Sequence, residues 1–344
     1  MSDKYSVDVP VAIIFFNRPD TLEKVFAAVR DARPKRLFLI QDGARDNKPG
    51  EAEKVMQCRK VVENVDWECE VTRDYSDENL GCGMRINSGV SNAFKEVERL
   101  IIIEDDIVVT RDFFVFCEEL LERYKDDRRI HRISGMCHMG EYKKSPYSYG
   151  FTNISSCWGW ATWKRSWEDM DYEMSFLDDE YTMRCFSKNY RYKKDARSLL
   201  KTGYERREIL RSGKRLSAWT YQFSMGGRLN NKLDITPCKN LITCIGLSAD
   251  SAHAAASLKQ IPKGLQKVFF GKTYPMDSPI KHPKYIMEDV ELENEIRKVM
   301  GWTPVLKITR KAESIIRRIV FSDKGERKKI ASKAISRLPF AKKK

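Results

Sequence analysis

Three consecutive carboxylates, Glu104, Asp105 and Asp106, follow directly on the apolar run Ile101-Ile102-Ile103. Negative charges at the end of a buried strand are costly unless something cationic neutralises them. A hard divalent ion with oxygen ligands is the natural partner, and Mg²⁺ or Mn²⁺ usually binds substrate phosphates as well. One carboxylate on such an ion and another on a ribose hydroxyl would fix a nucleoside diphosphate. The alternative is a strand that simply surfaces into a solvated acidic loop. Two further polar groups stand at equivalent places: Asn17-Arg18 after PVAIIFF, and Asp42 at the end of RLFLIQD.

The elements that must position these residues are legible as alternating strands and helices. Residues 10–16 form a continuous apolar run, the pattern of a strand buried on both faces. Asp20 reads as a helix N-cap with Glu23 three residues on, and Leu22, Val25, Phe26 and Val29 make one helical stripe. RLFLIQD is a second strand, with Gly43 as its turn residue; a helix over residues 51–64 leads to a third strand near residues 70–73. Asn79-Leu80-Gly81-Cys82-Gly83 is a glycine-punctuated turn before another helix, and RLIIIEDDIVV is a fourth strand. This rhythm predicts an α/β fold with a mostly parallel central sheet and helices on both faces. Ligands in such sheets bind outside the carboxyl ends of the strands. The three polar groups should therefore meet in space.

The chain of 344 residues and 40.1 kDa suits one large α/β domain with attachments, or two modest domains. With 42% hydrophobic and 33% charged residues it is neither disordered nor collagenous. No apolar run approaches the roughly 18 residues of a membrane-spanning helix, and MSDKYSVD has no apolar core of a secretory signal, which predicts a cytoplasmic protein. Nine scattered cysteines, none in C-x-x-C spacing, predict buried reduced thiols instead of a disulfide or zinc framework. Of the net charge of +14, residues 303–344 hold 14 Lys and Arg against 3 acidic residues, or +11. Within them Ile308, Ala312, Ile315, Ile316, Ile319 and Val320 recur at helical spacing among arginines and lysines. Such a basic amphipathic helix suits the anionic inner face of a membrane; the other reading is a helix packed on the main domain with a solvated charged face. Nucleic acid is not expected, because the segment has no stacking set of aromatics.

Several ordered segments resemble one superfamily. IIIEDDIVVTRDFFVF is similar to the acidic motif and following helix of N-acetylglucosaminyltransferase I and related bacterial polysaccharide glycosyltransferases, members of the GT-A nucleotide-diphospho-sugar transferases. PVAIIFFNRPDTLEKVFAAV, LFLIQDGAR and NLGCGMRINSGVSNAF resemble the donor half of those enzymes, SSCWGWATWKRSW their acceptor-side Gly-Trp segment, and WTYQF with ITPCKNLITCIGLSADSAH their last recognisable stretch. The likeness implies a GT-A domain over residues 1–255, with a donor half at about 9–135 and an acceptor half at about 136–255. A connecting segment, 256–302, and a basic helical tail, 303–344, would follow. It further implies a metal-dependent, inverting transfer from a nucleoside diphosphate-sugar, UDP-linked, to a saccharide or lipid-linked saccharide in surface polysaccharide or glycan synthesis. Carried over by position, Asp42 would contact the base and Arg18 would lie near the nucleotide. Asp105 would contact the ribose, or the metal through water; Asp106 would be the direct ligand of Mn²⁺ or Mg²⁺. Glu104 would be a supporting member of the triplet. His253 resembles a C-terminal histidine that many such enzymes place against the metal or diphosphate.

The acceptor side is less defined. Trp160, Trp163 and Trp167 keep helical spacing, which predicts core packing for Trp163 and Trp167, whereas Trp158 and Trp160 flank Gly159, where a ring could face a sugar. An inverting transfer needs a general base. The relatives commonly hold a carboxylate beside the tryptophan equivalent to Trp219, where this chain has Ser217, Ala218 and Thr220. Asp178, Asp179 and Glu180 are the remaining candidates, or else a helix N-terminus that favours negative charge. Two rivals stay open. One is a sugar-nucleotide or glycan-binding module of the same fold without catalysis. The other is a nucleotidyltransferase, disfavoured because Asn17-Arg18-Pro19-Asp20 contains no glycine for a phosphate loop.

Overall fold

The computed structural model describes residues 5–247 and 257–321. The first half alternates β1 (Val11–Phe15), α1 (Pro19–Ala32), β2 (Arg36–Gln41), α2 (Glu51–Glu63), β3 (Glu70–Tyr75), α3 (Cys82–Ala93) and β4 (Arg99–Glu104). Then come β5 (Ile107–Val109), α4 (Arg111–Arg123), β6 (Ile130–Ser134), β7 (Tyr149–Thr152), β8 (Trp160–Trp163) and the short α5 (Lys164–Trp167). The rest comprises α6 (Glu180–Asn189), α7 (Lys193–Arg211), α8 (Thr220–Leu229), β9 (Leu233–Pro237), β10 (Ile242–Cys244), α9 (Lys263–Gln266), α10 (Val290–Met300) and α11 (Pro304–Phe321).

Eight strands form one sheet in the order β3-β2-β1-β4-β8-β6-β9-β7. The first four are mutually parallel; β8 runs antiparallel between β4 and β6, β9 is parallel to β6, and β7 is an antiparallel edge. All but β8 and β7 therefore point one way, the mostly parallel α/β sheet that the sequence implies. The continuous apolar runs have a direct cause, since both faces of the central strands are covered. Val11, Ile13 and Phe15 pack with Leu22 and Val25 of α1 and Phe113 of α4, whereas Ala12 and Ile14 face Ile86 and Val90 of α3 together with Trp160 and Trp219. Burying each such side chain contributes roughly 1.5–3 kcal/mol. Of the nine cysteines, all unpaired, six are buried among these apolar layers.

Three local expectations are corrected. α1 starts at Pro19, so Arg18 and not Asp20 is the N-cap, with no side-chain capping bond. Proline is pre-set for the first helical position, and Asp20 falls in the first turn. RLIIIEDDIVV is not one strand. β4 ends at Glu104, Asp105 and Asp106 make a turn, and β5 leaves the main sheet to pair antiparallel with β10. Finally, Trp160 and Trp163 lie on a strand, β8, in place of a helix. Three residues apart on a strand means opposite faces: Trp160 packs with Trp167, Trp219 and Phe223, and Trp163 packs on the α4 side, its Nε1 donating to Leu121 O at 3.1 Å.

Candidate functional site

At the carboxyl ends of β1, β2 and β4 lies a cavity of about 330 Å³. Arg18, Asp42, Glu104, Asp105, Asp106 and Trp158 all line it. The first strand stops at Phe15, and the next backbone N–H, of Phe16, donates to Asp105 Oδ2 at 3.1 Å. Arg18, at the entry to α1, reaches across to both aspartates, with Nη1 2.7 Å from Asp106 Oδ2 and Nη2 on Asp105 Oδ1. Asp105 is buried. Burial, then the charges of Asp106 and Asp105, push the Glu104 carboxyl up to about 8. Burial also raises Asp105, to about 6, with Arg18 opposing it.

Asp106 is placed by the small β5–β10 sheet. Ile107 pairs with Cys244, and Ile245 N donates to Asp106 O at 2.8 Å. The next residue, Gly246, presses its backbone against the carboxylate: a Cβ there would sit 1.7 Å from Asp106 Oδ2. Asp42 plays another part. Its oxygens accept from the N–H groups of Gly43 (3.1 Å), Leu80 (2.7 Å) and Gly81 (2.8 Å) and from Asn79 Nδ2 (3.1 Å). A carboxylate offers about four lone-pair positions, so Asp42 ties the end of β2 to the turn before α3 and shapes the wall. Burial raises its carboxyl against these N–H donors, which lower it. Arg85, buried on α3, completes that wall by donating to Gln41 O at 3.1 Å and Asp74 Oδ1 at 2.6 Å.

The sequence-derived candidates thus divide. Trp158 lines the cavity, its ring 5.3 Å from that of Phe269. Trp160 is a correction: it is fully buried, stacked on Trp219 at 5.2 Å, and has no face left for a sugar. Asp178 and Asp179 are corrections too. Asp179 caps α6 by accepting from Thr182 N at 2.9 Å, Asp178 pairs with Arg207 at 2.6 Å, and neither lines the cavity. His253 lies outside the described residues. Three contributors escaped the sequence reading: Arg85, Gly246, and the grip of Asn79, Leu80 and Gly81 on Asp42. The glycine-rich turn was visible; what it holds was not.

Among the described residues, no group of three or more His, Cys, Asp and Glu side chains converges as a metal cage. Mg²⁺ and Mn²⁺ need no such cage. They take one or two carboxylates and complete their shell with water and substrate phosphates. Asp105 and Asp106, hard oxygen donors at the mouth of a cavity, fit an ion of that kind. A larger cavity, about 580 Å³, is lined by Asn153, Arg228 and Leu233 among others. Leu233 begins β9, which runs parallel to β6, so this space lies at the opposite end of the strands from the acidic turn. Chemistry, not size, identifies the site.

A family model described as Glycosyl transferase family 2 matches residues 11–189, from the first residue of β1 to the last of α6. No curated protein matches the chain. Among solved structures it is similar to S. aureus TarS, at 12% identity and a TM-score of 0.34, over 47% of this chain and 48% of that one. It is also similar to HddC from Yersinia pseudotuberculosis, at 16% identity and a TM-score of 0.30, over 50% of this chain and 86% of that one. The chain spans about half the length of the TarS chain it matches.

Proposed function

Because the chain belongs to glycosyl transferase family 2, we propose that this glycosyltransferase moves a sugar from a UDP-linked donor to a saccharide or lipid-linked saccharide acceptor. The observation that supports this most is the meeting of Arg18, Asp105 and Asp106 with the Asp42-held turn in one cavity at the strand ends. In this reading the Asp42 wall receives the nucleoside, Asp105 takes a ribose hydroxyl or a metal-bound water, and Arg18 lies beside the diphosphate. Asp106, with Asp105 next to it, would hold a Mn²⁺ or Mg²⁺ ion, which offsets charge on the leaving diphosphate. Trp158 stands on the acceptor side of the cavity. As the acceptor oxygen bonds to the anomeric carbon, the bond to the diphosphate oxygen breaks, the configuration inverts, and a base takes the hydroxyl proton. The concentration of +11 in residues 303–344 supports a place in glycan or surface-polysaccharide synthesis at the inner face of a membrane.

One observation favours a second reading, a nucleotide-sugar-binding module without turnover. Among the described residues, the carboxylates lining the cavity are Asp42, Glu104, Asp105 and Asp106. The first is saturated with donors and the other three belong to the acidic turn. UDP release from a panel of UDP-sugars with Mn²⁺, measured beside Asp106→Ala, separates the two. Donor-selective release that the substitution abolishes is the expected result. Mn²⁺-dependent UDP binding without release would favour the module, and neither release nor metal-dependent binding would overturn both.

A further inference from the structure

α11 is amphipathic, and its polar side faces the body. At 3.6 residues per turn, Val305, Ile308, Ala312, Ile315, Ile316, Ile319 and Val320 fall on one arc, with Lys307, Arg310, Lys311, Arg317 and Arg318 on the other. A helix on a globular domain ordinarily buries its apolar arc. Here the polar arc makes the attachments. Arg310 donates to the carbonyls of Lys298 (3.0 Å) and Val299, Lys307 Nζ reaches Asp195 Oδ1 at 2.8 Å, and Arg317 donates to Lys259 O at 3.2 Å. At the margin of the two arcs, Glu313 accepts from Lys263 N at 2.9 Å. No residue of α11 is buried, and Val305, Ile308 and Ile316 are 71%, 74% and 60% exposed.

We infer that this outward arc is a docking face for an anionic lipid bilayer. The helix has 18 residues, about 27 Å at 1.5 Å each, and no described helix is long and apolar enough to cross a membrane. It suits lying in the plane of the interface, with aliphatic side chains at the acyl boundary and cations at the headgroups. Lys311 is exposed beside the arc, and residues 322–344 add 9 Lys and Arg against 2 acidic residues. Apolar insertion together with a polybasic segment is the pair of signals that gives stable membrane association. A second copy of the chain is the poorer occupant, since it would bring two segments of the same high positive charge together. The polar attachments also set an orientation: the body stands on the far side of α11 from the bilayer.

This inference does not depend on sugar transfer, and its test uses no donor. The full chain is sedimented with vesicles of phosphatidylcholine alone and of phosphatidylcholine mixed with phosphatidylglycerol. Binding to the anionic vesicles, weakened by salt, is expected, and Ile308→Asp with Ile316→Asp should lower the partition coefficient about tenfold or more. Both positions are exposed, so the thermal midpoint should not move. Failure to bind anionic vesicles would overturn the inference, as would binding that the double variant leaves unchanged. A self-association by light scattering that the double variant abolishes would assign the arc to a second copy instead.

Discussion

Asp106 and Gly246 are far apart in the chain and in direct contact in the fold. A methyl group at Gly246 would stand 1.7 Å from Asp106 Oδ2, far inside van der Waals contact. The β5–β10 ladder and the Ile245 N–H bond to Asp106 O join both backbones, and because Asp106 Cβ would also lie 2.7 Å from the new methyl, the carboxylate must turn away and the two backbones must part. Gly246→Ala is therefore expected to weaken Mn²⁺-dependent UDP binding about tenfold or more, on the order of 1.4 kcal/mol, and to lower the thermal midpoint as the β5–β10 pairing is strained. Titration calorimetry with UDP and Mn²⁺ reads this directly, and an unchanged affinity would remove Asp106 from the binding set. At this scale the sequence was informative wherever a polar residue ended an apolar run, as for Arg18, Asp105 and Asp106. Gly246 carried no such mark, because its role is a close approach between distant segments. Trp160 misled for a related reason: a tryptophan beside a glycine suggests an open ring, and only packing shows that ring sealed under Trp219.

Among the elements, β6 and β9 depend on a buried charge network. Arg132 lies 2.7 Å from Asp234 Oδ2, His131 Nδ1 lies 3.2 Å from Oδ1, and Ser155 Oγ donates to the same carboxylate at 2.9 Å. Arg132 also donates to Ser155 Oγ at 2.8 Å and Cys157 Sγ at 2.9 Å, which fixes the segment leading to Trp158. Burial alone would raise the Asp234 carboxyl; Arg132 and His131 reverse that and hold it well below the usual range. Removing one partner of a buried pair leaves the other uncompensated, at about 3–5 kcal/mol. Arg132→Met should lose about that much in urea denaturation, and adding Asp234→Leu should restore a large part of it. If the double variant is no more stable than the single one, the network is not what joins these strands. These elements were the poorly legible half of the sheet. β1, β2 and β4 announce themselves by apolar runs, but IHRIS and LDITP carry charges that make sense only as partners across the ladder. Likewise β8 offered tryptophans at a helical interval, and only pairing between β4 and β6 makes it a strand.

For the whole molecule, the charge asymmetry was plain in the sequence, while the direction in which α11 docks was not, since an amphipathic pattern does not say which arc meets the body. Proton linkage is another property of the entire fold. The three described histidines, His131, His138 and His282, are all held below their usual range, first of all by burial. His138 has the largest consequence: burial, with Lys267 adding to it, brings the imidazole down to about 4, and its Nδ1 has no hydrogen-bond partner among the described residues. The unfolded imidazole titrates near 6.5. Between about 6.5 and 4 the unfolded chain thus binds more protons than the native one, and stability falls as the pH falls. His138 alone should remove about 2 kcal/mol between pH 7.5 and pH 5, approaching a limit of about 3 kcal/mol below the folded value. Urea denaturation at pH 7.5 and pH 5 should show this loss in the wild-type chain and a smaller one in His138→Gln, which has nothing to titrate there. Parallel losses in the two proteins would mean that His138 titrates in the fold as it does in the unfolded chain and that the acid sensitivity lies elsewhere.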